Sequence, residues 1–251
     1  MKAILMCAIV MSCVLPAFGA AQDKKTPTPP HLLPGDGIAD PTGKVGYFPN
    51  TTGGIDALDL TSGRLLWSAI DAKKPLLATD KRLFAQASVK GKANQVRVAV
   101  YDVTLEGKLI FESEPIVFPD WVSVPVTYGR SFRSSARLDV KGLWLSWEAN
   151  AFYAGGAAPT EEILKAARKN ASGVARIDLD SRKVSAEKGG PVFTGTYNPK
   201  VGALTLVTVD GPAKLKGNPF ARRRLLRAVN AGKQVVWERE IAAPVFLIPR
   251  P

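Results

Sequence analysis

The strongest constraint on the fold is a hairpin-like pattern that occurs four times along the chain. The copies are IDALDLTSGRLLWSAI from Ile55, VRVAVYDVTLEGKLIFESEPI from Val96, GVARIDLDSRKVSAEKG from Gly173 and LLRAVNAGKQVVWEREI from Leu225. Each copy has an alternating segment that carries an alanine, then Gly or Ser beside Lys or Arg, then a second alternating segment. Alternation of apolar and polar residues is typical of half-buried β-strands. The pattern therefore predicts four β-hairpins.

The spacing of the copies indicates how the hairpins are organised. The alanines at 57, 99, 175 and 228 are separated by 42, 76 and 53 residues, and a β-propeller blade repeats at about 40 to 50 residues. Further strands are expected upstream of the hairpins at residues 44–48, 76–78, 82–89, 136–140, 143–152, 192–194 and 203–209. We therefore predict an all-β fold, a β-propeller or propeller-like domain of about four four-stranded blades.

The long middle spacing leaves room for an insertion. PTEEILKAARKN, which begins at Pro159, has a helix-start signal at Pro159 and Thr160, and two glutamates suit the first turn. The residues from Asn170 to Gly173 would end the helix. We expect one short helical insertion in the third blade.

The amino terminus predicts export. A single Lys precedes an apolar run from Ala3 to about Leu15, and small residues follow at Ala17, Gly19 and Ala21. This is the pattern of a signal peptide over residues 1–21, and the run is too short for a membrane span. A Pro-rich linker over 22–34 and a domain over 35–251 would follow. The expected location is secreted or periplasmic.

An alternative interpretation takes Cys13, at the end of VMSC, as a lipid anchor in the cell envelope. Cys7 and Cys13 are the only cysteines and both lie in the leader. The exported domain would then lack disulfides and depend on its core for stability.

Residue types used in catalysis are scarce. His31 is the only histidine and lies in the expected linker, which disfavours Ser-His-Asp catalysis and histidine metal sites. The neighbouring carboxylates at 56 and 59, 178 and 180, and 238 and 240 are interpreted as turn flanks, although a glycosidase needs only two acids. We predict no catalytic, cofactor-binding or metal-binding residues and no cofactor.

The first hairpin also carries a family signature. VGYFPNTTGGIDALDLTSGRLLW, from Val45 to Trp67, resembles the repeat of the PQQ-binding-like (quinoprotein-type) β-propeller family, in which a glycine precedes Ala-Leu-Asp, a Thr-Gly-Lys turn and a Trp. The matching residues in the first and fourth hairpins are Gly54, Ala57, Leu58, Asp59, Gly63, Trp67, Ala228, Val229, Asn230, Gly232, Lys233 and Trp237. The resemblance implies that Ala57, Asp59, Gly63, Trp67, Ala228 and Trp237 dock neighbouring blades. The second hairpin has Phe111 in place of the Trp, and the third departs from the pattern at residues 185–187.

The resemblance implies a scaffold rather than a cofactor site. Quinoprotein dehydrogenases of this type add a catalytic carboxylate, a Ca²⁺ site and a vicinal disulfide, and the sequence has no vicinal cysteine pair. We therefore expect a non-catalytic scaffold or binding protein of the cell envelope. The alternative is a quinoprotein-like or glycan-acting propeller enzyme, which would need carboxylates lining the central channel. A third interpretation is an incomplete propeller that pairs with another chain through exposed strand edges.

Charge indicates the class of partner. The formal net charge is +12, and basic residues concentrate in three connections between second and third strands, which would open at one face. The candidate anion-binding residues are Lys90, Lys92, Lys165, Arg168, Lys214, Lys216, Arg222, Arg223, Arg224 and Arg227. The expected partner is another envelope protein or an anionic polymer. Nucleic acid is disfavoured because the aromatic residues that stack on bases are nearly lacking beside these cations, with only Phe220 nearby.

Overall fold

The computed structural model describes residues 30–122, 129–152, 160–166, 169–187, 195–215 and 218–242. Within these ranges the chain forms four β-sheets of four to six strands, and almost all neighbouring strands are antiparallel. The prediction of an all-β chain is confirmed at this level. The described part has no helix long and apolar enough to cross a membrane.

Sheet 1 has six strands in the spatial order β15-β1-β2-β3-β4-β5. Their bounds are β1 His31–Leu33, β2 Gly37–Ala39, β3 Val45–Pro49, β4 Ile55–Asp59, β5 Leu65–Ala69 and β15 Thr196–Tyr197. The distant β15 pairs in parallel with β1. Because β1 occupies the last residues of the expected linker, the sheets begin before residue 35.

Sheet 2 consists of β6 Ala72–Ala78, β7 Arg82–Val89, β8 Lys92–Asp102, β9 Lys108–Glu112 and β10 Ile116–Val117. The long β8 pairs with β9 along its carboxyl-terminal part and with β10 nearer its start. One strand edge is therefore covered by two short strands in succession.

Sheet 3 consists of β11 Gly129–Asp139, β12 Gly142–Phe152, β13 Asn170–Ile177 and β14 Val184–Glu187, and sheet 4 of β16 Lys200–Val201, β17 Leu204–Leu215, β18 Asn218–Val229 and β19 Val235–Ile241. The helix α1, Glu161–Ala166, lies between β12 and β13, where the insertion was expected. The strand predicted at 192–194 lies outside the described residues.

The four alanines that marked the repeat occupy equivalent positions. Ala57, Ala99, Ala175 and Ala228 lie on β4, β8, β13 and β18, and each is at most 4% exposed. These strands pair with β5, β9, β14 and β19 to form the predicted hairpins.

Three apolar clusters join the sheets in the order 4-1-2-3. Phe48 and Leu58 of sheet 1 pack with Leu206 and Leu226 of sheet 4. The opposite face of sheet 1, with Ala57, packs against sheet 2, because successive residues of a strand point to opposite faces. A third cluster joins sheets 2 and 3. Among the described residues no apolar cluster joins sheet 3 to sheet 4.

Candidate functional site

The turns between third and fourth strands share one hydrogen-bonding device. Asp59 opens the β4–β5 turn, and its Oδ1 accepts hydrogen bonds from the backbone N–H groups of Thr61 at 3.0 Å and Ser62 at 2.8 Å. The residues in the corresponding places are Asp102, Asp178 and Asn230, each of which also accepts a backbone N–H. Hydrogen bonds from the backbone and then the hydroxyl of Ser62 hold the pKa of Asp59 below its usual value.

Each of these turns closes on a residue in the left-handed region. These residues and their φ angles are Gly63 at 70°, Gly107 at 75°, Arg182 at 64° and Lys233 at 60°. At two of these positions glycine is also required because a side chain would clash with an aromatic ring. A Cβ on Gly63 would lie 2.6 Å from Cδ2 of Trp237, and one on Gly107 would lie 2.2 Å from Cε3 of Trp67. An indole from the preceding sheet therefore packs directly on the glycine backbone.

The same contact, repeated from sheet to sheet, sets the orientation of the sheets. Trp237 of sheet 4 packs on the sheet 1 turn and donates from Nε1 to the carbonyl of Leu60 at 3.1 Å. Trp67 of sheet 1 packs on the sheet 2 turn. In sheet 2 the ring of Phe111 packs under the side chain of Arg182 in the sheet 3 turn, with 5.3 Å between the ring centroid and Cζ of the arginine. The turns between third and fourth strands therefore lie at one end of the stack, which we call the turn end.

Sheet 3 lacks the aromatic half of this contact. The fourth residue after Arg182 is Ala186, which is exposed. The register shifts that sheets 1, 2 and 4 show just before their aromatic residue are also missing from the described β13–β14 pair. The degenerate third repeat of the sequence thus coincides with the sheet that has no docked successor among the described residues.

The connections between second and third strands lie at the opposite end, which we call the basic end. Lys90 and Lys92 flank Gly91 in the β7–β8 connection and are both exposed. Lys165 is exposed on α1. Lys214 on β17 and Arg222 on β18 are opposite each other in the strand pairing. The expectation that they lie in a long connection was wrong, because the two strands continue their pairing through this region. Arg168 and Lys216 lie outside the described residues.

Three further candidates on β18 already have protein partners. Arg223 forms an ion pair with Glu240 at 3.3 Å, and Arg227 forms one with Glu238. Arg224 donates from Nη2 to Thr208 Oγ1 at 3.3 Å. These arginines therefore have less capacity for an external anion than their number in the sequence indicated. The alternation of acids in WEREI on the facing strand could have indicated this pairing.

The neighbouring carboxylates have separate structural partners. Asp56 Oδ1 accepts from Asn50 Nδ2 at 2.7 Å and from Ser68 Oγ at 2.8 Å at the start of β4, whereas Asp59 caps the turn at its end. Asp178 accepts from the backbone of Asp180 at 3.1 Å. No three His, Cys, Asp or Glu side chains within the described ranges are grouped so that they could hold a metal ion.

A polar cluster between sheets 2 and 3 was missed at the sequence level. Lys74 on β6 donates from Nζ to the backbone oxygen of Ser134 on β11 at 3.2 Å, and Nζ lies 3.4 Å from the Ser134 hydroxyl. That hydroxyl donates to Oε1 of Gln86 at 3.1 Å, and Gln86 is only 1% exposed. Burial lowers the pKa of Lys74, while Asp36 opposes and Arg133 reinforces the shift.

The adjacent Lys73 shows why the sequence did not reveal this cluster. Its Nζ donates to the carbonyl of Gly53 at 2.8 Å in the β3–β4 connection. The two lysines are consecutive in AKKPLLA and have the same chemistry, but they bond to different sheets. The β6–β7 register shifts between Ala72 and Lys74, so simple alternation along β6 could not predict which lysine meets which sheet.

Comparison of the sequence with protein-family models found no match, and comparison with curated proteins found none either.

Proposed function

We propose that this protein is an exported, non-catalytic scaffold of the cell envelope, whose basic end binds an anionic polymer or the acidic surface of another envelope protein. The observation that carries the proposal is the shared end of the β7–β8, β12–β13 and β17–β18 connections. Because the turn-end contacts orient sheets 4, 1, 2 and 3 alike, cations far apart in the sequence come to one end. Long-range attraction from such a surface favours anionic partners.

The proposal includes a four-bladed propeller built from PQQ-like repeats. Three successive junctions use the same part of the hairpin, and a repeated junction is what a ring of blades requires. A closed ring would also need the outer face of sheet 3 to meet the outer face of sheet 4. Alternatively, a second chain completes the ring at that position.

The charge of the first strands supports binding rather than catalysis. In the proposed propeller the first main strands of the four sheets, β2, β6, β11 and β16, would line the central channel. The cations whose side chains are described on these strands are Lys73, Lys74, Arg133, Arg137 and Lys200. Asp139, at the far end of β11, is their only carboxylate. An enzyme that works through paired acids near the channel would need carboxylates here. A channel lined by cations, rather than by carboxylates, suits a protein that binds anions.

The test is the binding of heparin, as a model polyanion, at low and high salt. Lys90→Glu/Lys92→Glu reverses two exposed charges at the basic end, and Lys81→Glu/Lys141→Glu makes the same change at the turn end, where both residues are also exposed. We expect the first variant to bind at least tenfold more weakly than wild type and the second to change by less than about threefold, with all binding weakened by salt. Equal losses would show non-specific attraction and contradict a basic binding end, as would the absence of binding by wild type.

A further inference from the structure

Lys74 is a partly buried ammonium group without a carboxylate partner. Its only described hydrogen-bond acceptors are the two oxygens of Ser134, at 3.2 and 3.4 Å from Nζ. Both distances are at or beyond the long end of the usual range, and an ammonium carries three donors. At least one N–H is therefore left without an acceptor among the described residues.

The charges around Lys74 do not neutralise it. After burial, which lowers the pKa of Lys74, the larger charge effect comes from Asp36 in the β1–β2 turn, which raises it, and the smaller from Arg133, which lowers it. Both of these residues are exposed. None of the described ion pairs includes Lys74. A buried charge without a counter-ion is unfavourable, so this position favours an anion from outside.

Three polar groups fix the ammonium in place. The hydroxyl of Ser134 is held by its bond to Gln86, and the buried Gln86 lies directly across from Lys74 in the β6–β7 pairing. Lys74 nevertheless retains some accessible surface, which leaves a route to solvent. An ammonium held in this way is preorganised to bind one compact anionic group.

We propose that Lys74, with Ser134 and Gln86 as its support, forms a binding site for a single oxyanion group, a carboxylate or a phosphate. This site is distinct from the basic end. The exposed lysines would bind a polymer through charges that salt screens, whereas a partly buried ammonium is screened much less. Loss of one kind of binding therefore does not imply loss of the other.

The experiment follows thermal unfolding of the purified protein in about 0.5 M NaCl, where surface attraction is largely screened, with increasing inorganic phosphate, sulfate or acetate. A ligand that binds only the folded state raises Tm through mass action. We expect at least one probe to raise the Tm of the wild type. Its apparent affinity should fall at least tenfold in Lys74→Met and stay within about twofold in Lys73→Met, which removes the neighbouring amine.

Three results would overturn the site. They are no rise in wild-type Tm with any of the three probes, a rise that persists in Lys74→Met, and an equal loss in Lys73→Met. If Lys74→Met does not fold, NMR titration of the lysine Nζ groups in the wild type decides. A bound oxyanion must raise the pKa of Lys74 selectively, and an unchanged Lys74 pKa would exclude the site.

Discussion

Single polar residues decide how the hairpin turns close. In the β4–β5 turn one carboxylate oxygen of Asp59 accepts two backbone N–H groups and the Ser62 hydroxyl. Asp178 repeats this arrangement with Asp180 and Ser181, and Asp102 accepts the backbone N–H and the hydroxyl of Thr104. Backbone and hydroxyl hydrogen bonds lower the pKa values of both residues. In the fourth turn a neutral amide, Asn230, takes this place and accepts one backbone N–H, that of Gln234 at 3.0 Å. The turn therefore needs an acceptor at this position more than it needs a charge.

Two substitutions of Asp59 distinguish the contribution of its hydrogen bonds from that of its charge. The first, to Ala, removes both. Asp59→Ala should lower the free energy of unfolding at pH 7 by about 1 kcal/mol, a value kept small because the turn is solvated. The folded-state pKa lies below the unfolded value, so this contribution is present above about pH 4 and is lost as the pH falls through the folded pKa. Urea unfolding at pH 7 and at about pH 3 measures both effects.

Asp59→Asn is the matched control, because it keeps the acceptor that the fourth turn uses. It should be nearly neutral at pH 7 and should remove the part of the acid dependence that comes from residue 59. If Asn is as destabilising as Ala at pH 7, charge rather than hydrogen bonding closes the turn.

At the scale of the element, the hairpins of sheets 1, 2 and 4 are docking units as well as pairs of strands. Their second strands carry Trp67, Phe111 and Trp237 to the turn of the next sheet. Trp237 is 8% exposed and combines apolar contact with a hydrogen bond to Leu60. Arg239 adds a second bond, from Nε to the Gly63 carbonyl at 2.9 Å. A substitution in one hairpin should therefore also reduce the stability of the neighbouring sheet.

Gly63→Ala tests this docking contact. The new Cβ would oppose both the left-handed backbone and the Trp237 ring, so we expect a loss of about 2 to 4 kcal/mol in the free energy of unfolding. Gly43→Ala is the control, since Gly43 has a φ of 68° but no atom within 4 Å of a new Cβ. It should cost only about 1 kcal/mol for the backbone. Chemical denaturation of both variants decides, and equal losses would mean that the indole contact contributes nothing.

At the scale of the whole molecule, three clusters form one continuous connection from sheet 4 through sheets 1 and 2 to sheet 3. Each sheet in the middle of this order has an apolar residue on both faces, as Ala57 and Leu58 show for sheet 1. No sheet can then lose its neighbour without exposing apolar surface on both partners. We expect the stack to unfold as one cooperative unit.

Leu226→Ala tests this cooperativity. Leu226 is fully buried between sheets 4 and 1, and its truncation should cost about 2 to 5 kcal/mol. Native-state hydrogen exchange should show the slowest amides of β7, in sheet 2, losing protection by the same factor as those of β18. Val140→Ala, at a position 95% exposed, should change stability by less than about 0.5 kcal/mol. Loss of protection confined to sheet 4 would show that the sheets unfold separately.

The sequence predicted the long strands better than the short ones. Strands such as β7 and β12 are long enough for alternation to be visible, and they lie where it was expected. β1, β2, β15 and β16 are two or three residues long, which is too short for a period-two pattern to be recognised. The candidate site divides in the same way. The cations were visible as clusters in the sequence, but the expected connection before Leu225 is largely paired strand in the structure. The Glu238 and Glu240 partners of the β18 arginines depend on that strand register.

The sequence by itself determined the β-class and the four hairpins, because alternation and turn chemistry are local properties. The tertiary structure decided which sheet packs on which, through contacts between residues as distant as Gly63 and Trp237. It also decided that Lys74 meets Ser134, sixty residues away, while Lys73 meets Gly53. These outcomes depend on how whole sheets pack, and packing involves surfaces that no single segment of the chain contains.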